Sequence, residues 1–189
     1  MNVKQAINNR RAYRSLEHIE ITEDLICDLA ECAQLSASCF NNQPWKYVFV
    51  NDPNVLKEMH KALSPGNEWA KDASMIIAVF SKKEDDCVIR DREYFLFDVG
   101  LATGSIILRA IELGLVAHPI AGYSPMETRR ILGIIDDYNV ITLIIVGKHS
   151  KKISTILTDK QIEAENKRPE RIPLDKFVYI NNYGKKLKI

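Results

Sequence analysis

The chain has almost no net charge and no long apolar run. Its 189 residues include 26 Lys and Arg and 25 Asp and Glu, for a formal net charge of +1. Such a chain has no general attraction for nucleic acid or anionic membranes. Its longest apolar runs, MIIAVF from Met75 and VITLIIV from Val140, are too short to cross a bilayer. Since MNVKQAINNRRAYR lacks an apolar signal core, we expect a cytoplasmic protein without membrane or nucleic-acid partners.

Metal-binding and dinucleotide-binding signatures are also missing. The four cysteines form no C-x-x-C pair, and no histidine cluster accompanies them. This predicts reduced thiols and no metal site. Cys39 is either a reactive thiol or a small space-filling residue. No G-x-G-x-x-G follows a strand, because GLATG lies inside a predicted helix with the wrong spacing. A nicotinamide nucleotide would therefore have no Rossmann site of its own.

Apolar spacing and capping residues predict alternating helices and strands in one domain, 1–189. Helices are expected over 22–35, 53–63, 92–114 and 124–132, and strands over 45–50, 73–80 and 140–147. Gly100 and Gly104 lie one turn apart in the longest helix, where each costs about 1 kcal/mol against alanine, which indicates close approach of another helix. The tail, 150–189, has no helical period and is expected to lie along a partner subunit.

Three polar segments are candidates for binding a ligand. NRRAYR carries Arg10, Arg11 and Arg14, whose guanidinium groups suit phosphate; the alternative is a solvated basic face. SASCFNNQPWKYVF, 36–49, is rich in polar groups that are costly to bury without partners; the alternative is a loop closed by its own Asx and Ser turns. HPIAGY, 118–123, leaves backbone amides open to a flat ligand; the alternative is a plain connection between helices.

In their order and contexts, these segments resemble the nitroreductase family of FMN-dependent oxidoreductases over nearly the whole chain. RRAYR is similar to that family's R-R-S-x-R. SASCFNNQPWKYVFV is similar to its P-S-x-x-N-x-Q-P-W loop and strand, and DVGLATGSIILRAIELGLVAHPIAGY to its central helix and flavin-contact turn. The closest likeness is to short, single-domain members. It implies an α+β fold with a mixed, mostly antiparallel sheet flanked by helices, in an intertwined homodimer with FMN at the subunit interface.

The resemblance also implies the residues that hold FMN. Arg14 would place a positive charge near the N1 and O2 edge, where it stabilises the anionic reduced flavin. Backbone amides of Ala121 and Gly122 would face N5 and O4. The full set is Arg10, Arg11, Ala12, Arg14, Ser38, Cys39, Asn41, Gln43, Asn67, Pro119, Ile120, Ala121, Gly122, Arg168 and Arg171. The arginines at 10, 11, 168 and 171 match phosphate-side positions. Ala12 replaces a usual serine and Ala37 a frequent proline, so affinity for FMN could be lower.

The activity implied by the resemblance is reduction of nitroaromatics, quinones or related electrophiles by NADH or NADPH in a ping-pong mechanism. The flavin carries the chemistry, and no side chain is needed as a general base. The alternatives are a flavin-consuming or dehalogenating relative and a flavin-binding sensor or storage protein. His118 is either a proton donor to the acceptor or a partly exposed histidine at a helix end. Trp69 and Tyr94 either line the acceptor pocket or pack in the core.

Overall fold

The computed structural model describes residues 1–187 and is built around a five-stranded sheet. Its strands are β1 (Leu16–Glu17), β2 (Lys46–Val50), β3 (Met75–Ser81), β6 (Val116–Ile120) and β7 (Asn139–His149). The order is β1-β7-β3-β2, with β6 also paired to β7, and β4 (Val88–Ile89) and β5 (Arg92–Glu93) form a separate hairpin. Every described strand pair is antiparallel. The fold is therefore α+β with a mostly antiparallel sheet, as predicted.

Six α-helices accompany the sheet in the described chain. They are α1 (Val3–Asn9), α2 (Glu23–Gln34), α3 (Pro53–Met59), α4 (Phe95–Glu112), α5 (Pro125–Leu132) and α6 (Asp159–Asn166). The Thr22 side chain caps α2 and the Ser124 side chain caps α5, each by accepting a backbone N–H three residues on. Gly133, with φ of 67°, ends α5. None of the helices in this part of the chain combines the length and apolarity needed to span a bilayer.

The sheet is buried on both faces because β3 and β7 are apolar at successive positions. Ile76 and Leu143 belong to the core cluster on one face, together with Trp69 and Met59. The alternate residues, among them Ile77, belong to the cluster on the other face, which α2 and α4 cover. This two-sided burial is what a continuous apolar run of strand length predicts.

Three expectations about secondary structure were wrong. His118 to Ile120 lie in β6 rather than in a connection between helices, and Pro119 is tolerated there because, among the described strands, β6 pairs with β7 alone. The long helix begins at Phe95 rather than Arg92. The tail contains α6, whose N-terminus is fixed by a capping box of Thr158 and Gln161. Residues 188 and 189 of the predicted tail lie outside the described residues.

Candidate functional site

A cluster of arginines lies where α1 ends. Burial lowers the pKa of Arg10, and the nearby charges of Arg168, Arg171 and Arg11 lower it further. Within residues 1–187, no salt bridge involves any of these four guanidinium groups. Their positive charges therefore repel one another without an internal anion, and a bound anion would relieve that repulsion.

The four arginines differ in whether their guanidinium groups already donate hydrogen bonds within the chain. Arg11 Nη2 donates to the carbonyls of Ala164 (2.7 Å) and Glu165 (3.2 Å), in the last turn of α6. Arg168 Nη2 donates to the Asn8 carbonyl. The guanidinium groups of Arg10 and Arg171 donate to no acceptor in the described part of the chain. Arg11 is thus partly a helix-capping residue, whereas Arg10 keeps its donors available.

Arg14 occupies a different setting, held by a glutamate that sequence reasoning did not identify. Its guanidinium lies 5.8 Å from the centroid of the Trp69 ring. Burial lowers the pKa of Arg14, and the charge of Glu165 partly opposes this. The buried Glu165 carboxylate accepts the backbone N–H of Arg14 (2.6 Å) and of Ser15 (3.3 Å). Glu165 therefore fixes the backbone that carries Arg14, yet a lone glutamate in a charged tail predicts exposure.

His118 packs behind Arg14 and is neutral at neutral pH. Its ring stacks on Trp69 with a centroid separation of 4.7 Å, and its Nδ1–H donates to the Tyr13 carbonyl at 3.1 Å. Burial, with the charges of Arg14 and Arg10, lowers the pKa of His118 to about 4. The expected partly exposed histidine at a helix end was therefore wrong. His118 also does not carry the proton near neutrality that an acid would need, and Trp69, 1% exposed, is a core residue.

The turn after β6 brings together two residues that were predicted separately. The Gly122 carbonyl accepts the Ser64 N–H (3.0 Å) and the Asn67 Nδ2–H (2.9 Å). A Cβ at Gly122 would collide with the Asn67 side-chain amide. Among the described residues the Gly122 amide N–H has no acceptor, so it is open to a ligand. Ala121 beside it is exposed, while Ile120 is buried and its carbonyl accepts the Thr142 hydroxyl (2.9 Å).

The polar loop has a backbone conformation that few side chains favour. Phe40, Asn41 and Gln43 have φ angles of 48°, 59° and 51°, in the left-handed region that costs non-glycine residues energy. The Ser38 hydroxyl accepts the Gln43 N–H (2.9 Å), so the loop does close on itself in part. The side chains of Asn41 and Gln43 are nevertheless exposed. A strained backbone that presents exposed side-chain amides is found at ligand-binding sites.

The candidate residues fall into two groups within one protomer. The loop group is Ser38, Cys39, Asn41 and Gln43. The arginine group is Arg10, Arg11, Ala12, Arg14, Asn67, Pro119, Ile120, Ala121, Gly122, Arg168 and Arg171. The structure brings the members of each group near one another, but no hydrogen bond, ion pair or ring contact joins the two groups within residues 1–187.

Helix α4 lies between the loop group and the segment α1, which leads into Arg10. The Cys39 N–H donates to Asp98 Oδ2 (2.6 Å) in the first turn of α4. By contrast, α1, which leads into Arg10, packs near the other end of α4, where Ala6 and Arg109 line one cavity. Eleven residues of helix rise about 16 Å. Within one protomer, Cys39 and the end of α1 that leads into Arg10 therefore lie near opposite ends of α4.

Two cysteines are paired, contrary to the expected reduced thiols. Cys39 and Cys87 form a disulfide with a Cα–Cα distance of 6.1 Å. Cys27 and Cys32 are free. The pairing was not visible in the sequence because 48 residues separate the two cysteines and only the β4–β5 hairpin brings them together.

Helices around an antiparallel sheet, an arginine cluster and a polar loop together define the class of protein to which this chain is compared. The family model described as Nitroreductase family matches residues 7–67 and 64–148, which is most of the chain. The chain belongs to the nitroreductase family, as its motifs predicted.

Individual relatives support this placement. A Methanothermobacter thermautotrophicus protein, whose name joins NADH dehydrogenase and NAD(P)H nitroreductase, is 29% identical over 68% of this chain and 65% of its own length. The chain thus spans slightly less than two thirds of that relative. The oxygen-insensitive NADPH nitroreductase of Helicobacter pylori is 22% identical over 85% of this chain and 94% of its own. A crystal structure described as an oxidoreductase containing FMN superposes with a TM-score of 0.82 at 25% identity, covering 98% of this chain and 95% of that one.

Proposed function

We propose that this chain is an FMN-dependent oxidoreductase that takes electrons from NADH or NADPH and reduces nitroaromatics, quinones or related electrophiles. The observation that carries the proposal is the arginine cluster, because Arg10 is surrounded by three further guanidinium groups and none of the four has a carboxylate partner in the described chain. A flavin phosphate is the kind of anion that such a cluster binds. The relatives named for nitroreductase activity and the FMN-containing neighbour agree with this choice.

Each part of the site has a task in this proposal. Arg10 and Arg171 bind the phosphate, and Arg168 adds its remaining N–H groups. When bound, FMN would supply two-electron redox chemistry between the nicotinamide and the acceptor, in a ping-pong mechanism. Arg14 stays protonated and holds positive charge where the reduced cofactor is negative, while the open Gly122 N–H offers a donor to the ring.

The complete site requires a second copy of the chain. No hydrogen bond, ion pair or ring contact joins the loop group to the arginine group among residues 1–187, so we expect a partner to supply the loop. Helix α4 offers an apolar face for that partner, with Phe97 61% and Leu101 43% exposed. A Cβ added at Gly100 or Gly104 on α4 would meet no atom of the described chain within 4 Å, so their close helix neighbour is expected in the partner. The exposed tail, beyond α6, is expected to extend over that partner.

The test begins with an anaerobic absorbance spectrum of the protein loaded with FMN, recorded before and after adding NADH and then NADPH. Bleaching at 1:1 flavin stoichiometry with either donor supports the oxidoreductase. Failure to take up FMN overturns the proposal. A flavin that binds but does not bleach favours a sensor or storage protein, and fragmentation of the flavin in air favours a flavin-consuming relative.

A matched pair of variants tests the arginine cluster itself. Arg10→Ala should weaken FMN binding about 10- to 100-fold, as expected for loss of a hydrogen bond between charged groups. The same change should leave the flavin-free protein as stable or more stable, because it removes like-charge repulsion. Arg130→Ala, at an exposed arginine paired with Glu127, is the control and should not change FMN affinity. Equal affinities for the two variants would remove Arg10 from the site.

A further inference from the structure

The disulfide joins the polar loop to the β4–β5 hairpin. Cys39 lies between Ser38 and Phe40 in the loop, and Cys87 immediately precedes β4. Cys39 also lines a cavity of about 380 Å³ together with Phe40, Ile89, Tyr94, Phe97 and other residues of the loop and α4. Both cysteines are partly exposed. In a single protomer, a small molecule that enters this cavity can therefore contact Cys39.

Two carboxylates face each other beside the disulfide. Asp98 Oδ2 accepts the Cys39 N–H (2.6 Å), and Asp86 Oδ1 accepts the N–H of Cys87 (2.8 Å) and Asn42 Nδ2 (3.3 Å). Asp86 Oδ2 is buried without a hydrogen-bond partner in residues 1–187. Burial raises the pKa of Asp98, the hydrogen bond from the Cys39 N–H lowers it, and the charge of Asp86 and hydrogen bonding to Asp86 raise it. When both carboxylates are ionised, their repulsion opposes the contact between the hairpin and α4, and the disulfide holds that contact.

We propose that Cys39 and Cys87 are a reversible thiol–disulfide exchange site, reduced by small-molecule or protein dithiols, which controls whether the hairpin is held against the loop. A thiolate of the dithiol attacks one Sγ, the Cys39–Cys87 bond breaks, and a mixed disulfide forms. The second thiol of the dithiol then displaces the cysteine. The two cysteines gain two electrons and two protons, and the dithiol becomes a disulfide.

Reduction should change the loop as well as the hairpin. Once the bond is broken, repulsion between Asp86 and Asp98 favours separation of the hairpin from α4 when both carboxylates are ionised. The loop then loses a covalent restraint on a strained backbone. The exchange itself does not depend on the proposed function. Its effect on FMN does, because a less ordered loop binds a ligand more weakly.

The first experiment counts thiols in the full-length protein without flavin. Alkylation under native conditions without reductant, followed by peptide mass mapping, should modify Cys27 and Cys32 but leave Cys39 and Cys87 joined. After treatment with dithiothreitol and its removal, all four should be modified. Alkylation of Cys39 and Cys87 in unreduced protein prepared in air would overturn the proposal.

The second experiment measures release of the hairpin by trypsin in a Cys27→Ser, Cys32→Ser background. Cleavage after Arg90, at the exposed hairpin tip, should be about tenfold faster in the reduced protein. Adding Cys87→Ser should give the fast rate with or without dithiothreitol, and Asp86→Asn should slow cleavage of the reduced form. Equal cleavage rates for oxidised and reduced protein would refute control of the hairpin.

A third measurement separates this inference from the proposed function. FMN titrations of the oxidised and reduced protein should show weaker binding after reduction, and Cys87→Ser should match the reduced form. If FMN binds neither form while alkylation and cleavage behave as expected, the proposed function fails and the exchange site stands. If FMN binds both forms equally, the link between the disulfide and the cofactor is refuted.

Discussion

Replacing Glu165 with alanine should destabilise the protein and loosen the segment that carries Arg14. The carboxylate accepts two backbone N–H groups, from Arg14 at 2.6 Å and from Ser15 at 3.3 Å. Ser15 is fully buried, so water cannot readily replace its lost acceptor. A buried donor left without a partner costs roughly 1–3 kcal/mol. With about 2 kcal/mol for the buried Ser15 donor and about 1 kcal/mol for the part-buried Arg14 donor, the loss should be about 3 kcal/mol.

That loss is large enough to measure by urea unfolding, and in a chain of this length it corresponds to a fall of about 6–12 °C in Tm. Glu163→Ala is the matched control, because Glu163 is exposed on the same helix and should change stability by less than about 0.5 kcal/mol. Glu165→Gln should fall between, since its amide oxygen still accepts one N–H. FMN affinity should decline in the same order. If the Glu165→Ala variant were as stable as the control, the hydrogen bonds between Glu165 in α6 and the backbone of Arg14 and Ser15 would not stabilise the protein in solution.

Three further changes test other parts of the site. His118 has a pKa of about 4 in the folded chain and about 6.5 when unfolded, so between these pH values the unfolded state binds more protons than the folded state. The free energy of unfolding should therefore fall by about 2 kcal/mol from pH 7 to 5. The His118→Gln variant should show a weaker dependence of stability on pH over this range. Gly122→Ala should lower stability by roughly 1–3 kcal/mol through the collision with Asn67, with the urea midpoint as readout. Arg14→Ala should slow flavin reduction more than it weakens FMN binding in stopped-flow and titration experiments, and equal losses would deny its electrostatic role.

Local signals in the sequence predicted local structure well. Thr22 and Ser124 each mark a helix start because the capping hydrogen bond involves residues only three apart. The strand at Met75 was predictable because a short apolar run of strand length fits a sheet buried on both faces. In contrast, β6 was missed because a proline such as Pro119 usually argues against a strand. A proline is accepted in a strand at the edge of a sheet, and the sequence does not show which strands are at the edge. The capping box of α6, Thr158 and Gln161, is present in the sequence, but the charged tail around it lacks the apolar period that would mark a helix.

Features that depend on contacts between distant parts of the chain could not be predicted from the sequence. Glu165 reaches the Arg14 backbone across 151 positions, and nothing in its neighbours predicts a buried carboxylate. The same holds for Cys39 and Cys87, which meet only through the hairpin. The arginines predicted an anion from their side-chain chemistry, whereas the flavin at these residues came from the resemblance to the family and stays a prediction. Their spacing in three dimensions depends on the fold.

In the proposed dimer, the separation of the two groups would make cofactor binding and dimer formation a single linked equilibrium. If each site takes its arginine group from one protomer and its loop group from another, a lone protomer binds FMN with only part of its contacts. Linkage then requires that dimer formation strengthen FMN binding by the same factor by which FMN strengthens the dimer. The apparent FMN affinity should therefore fall on dilution of the protein, and sedimentation should show dissociation over the same concentration range.

Leu101→Arg, on the exposed apolar face of α4, should move both transitions to higher protein concentration. Ile135→Arg, at a residue 61% exposed after α5, should move neither. FMN affinity that does not change with protein concentration, in a protein that demonstrably dissociates, would mean that one protomer completes the site alone. The loop group would then have to reach the arginine group by a rearrangement within the chain, because no hydrogen bond, ion pair or ring contact joins the two groups among residues 1–187 in the present conformation.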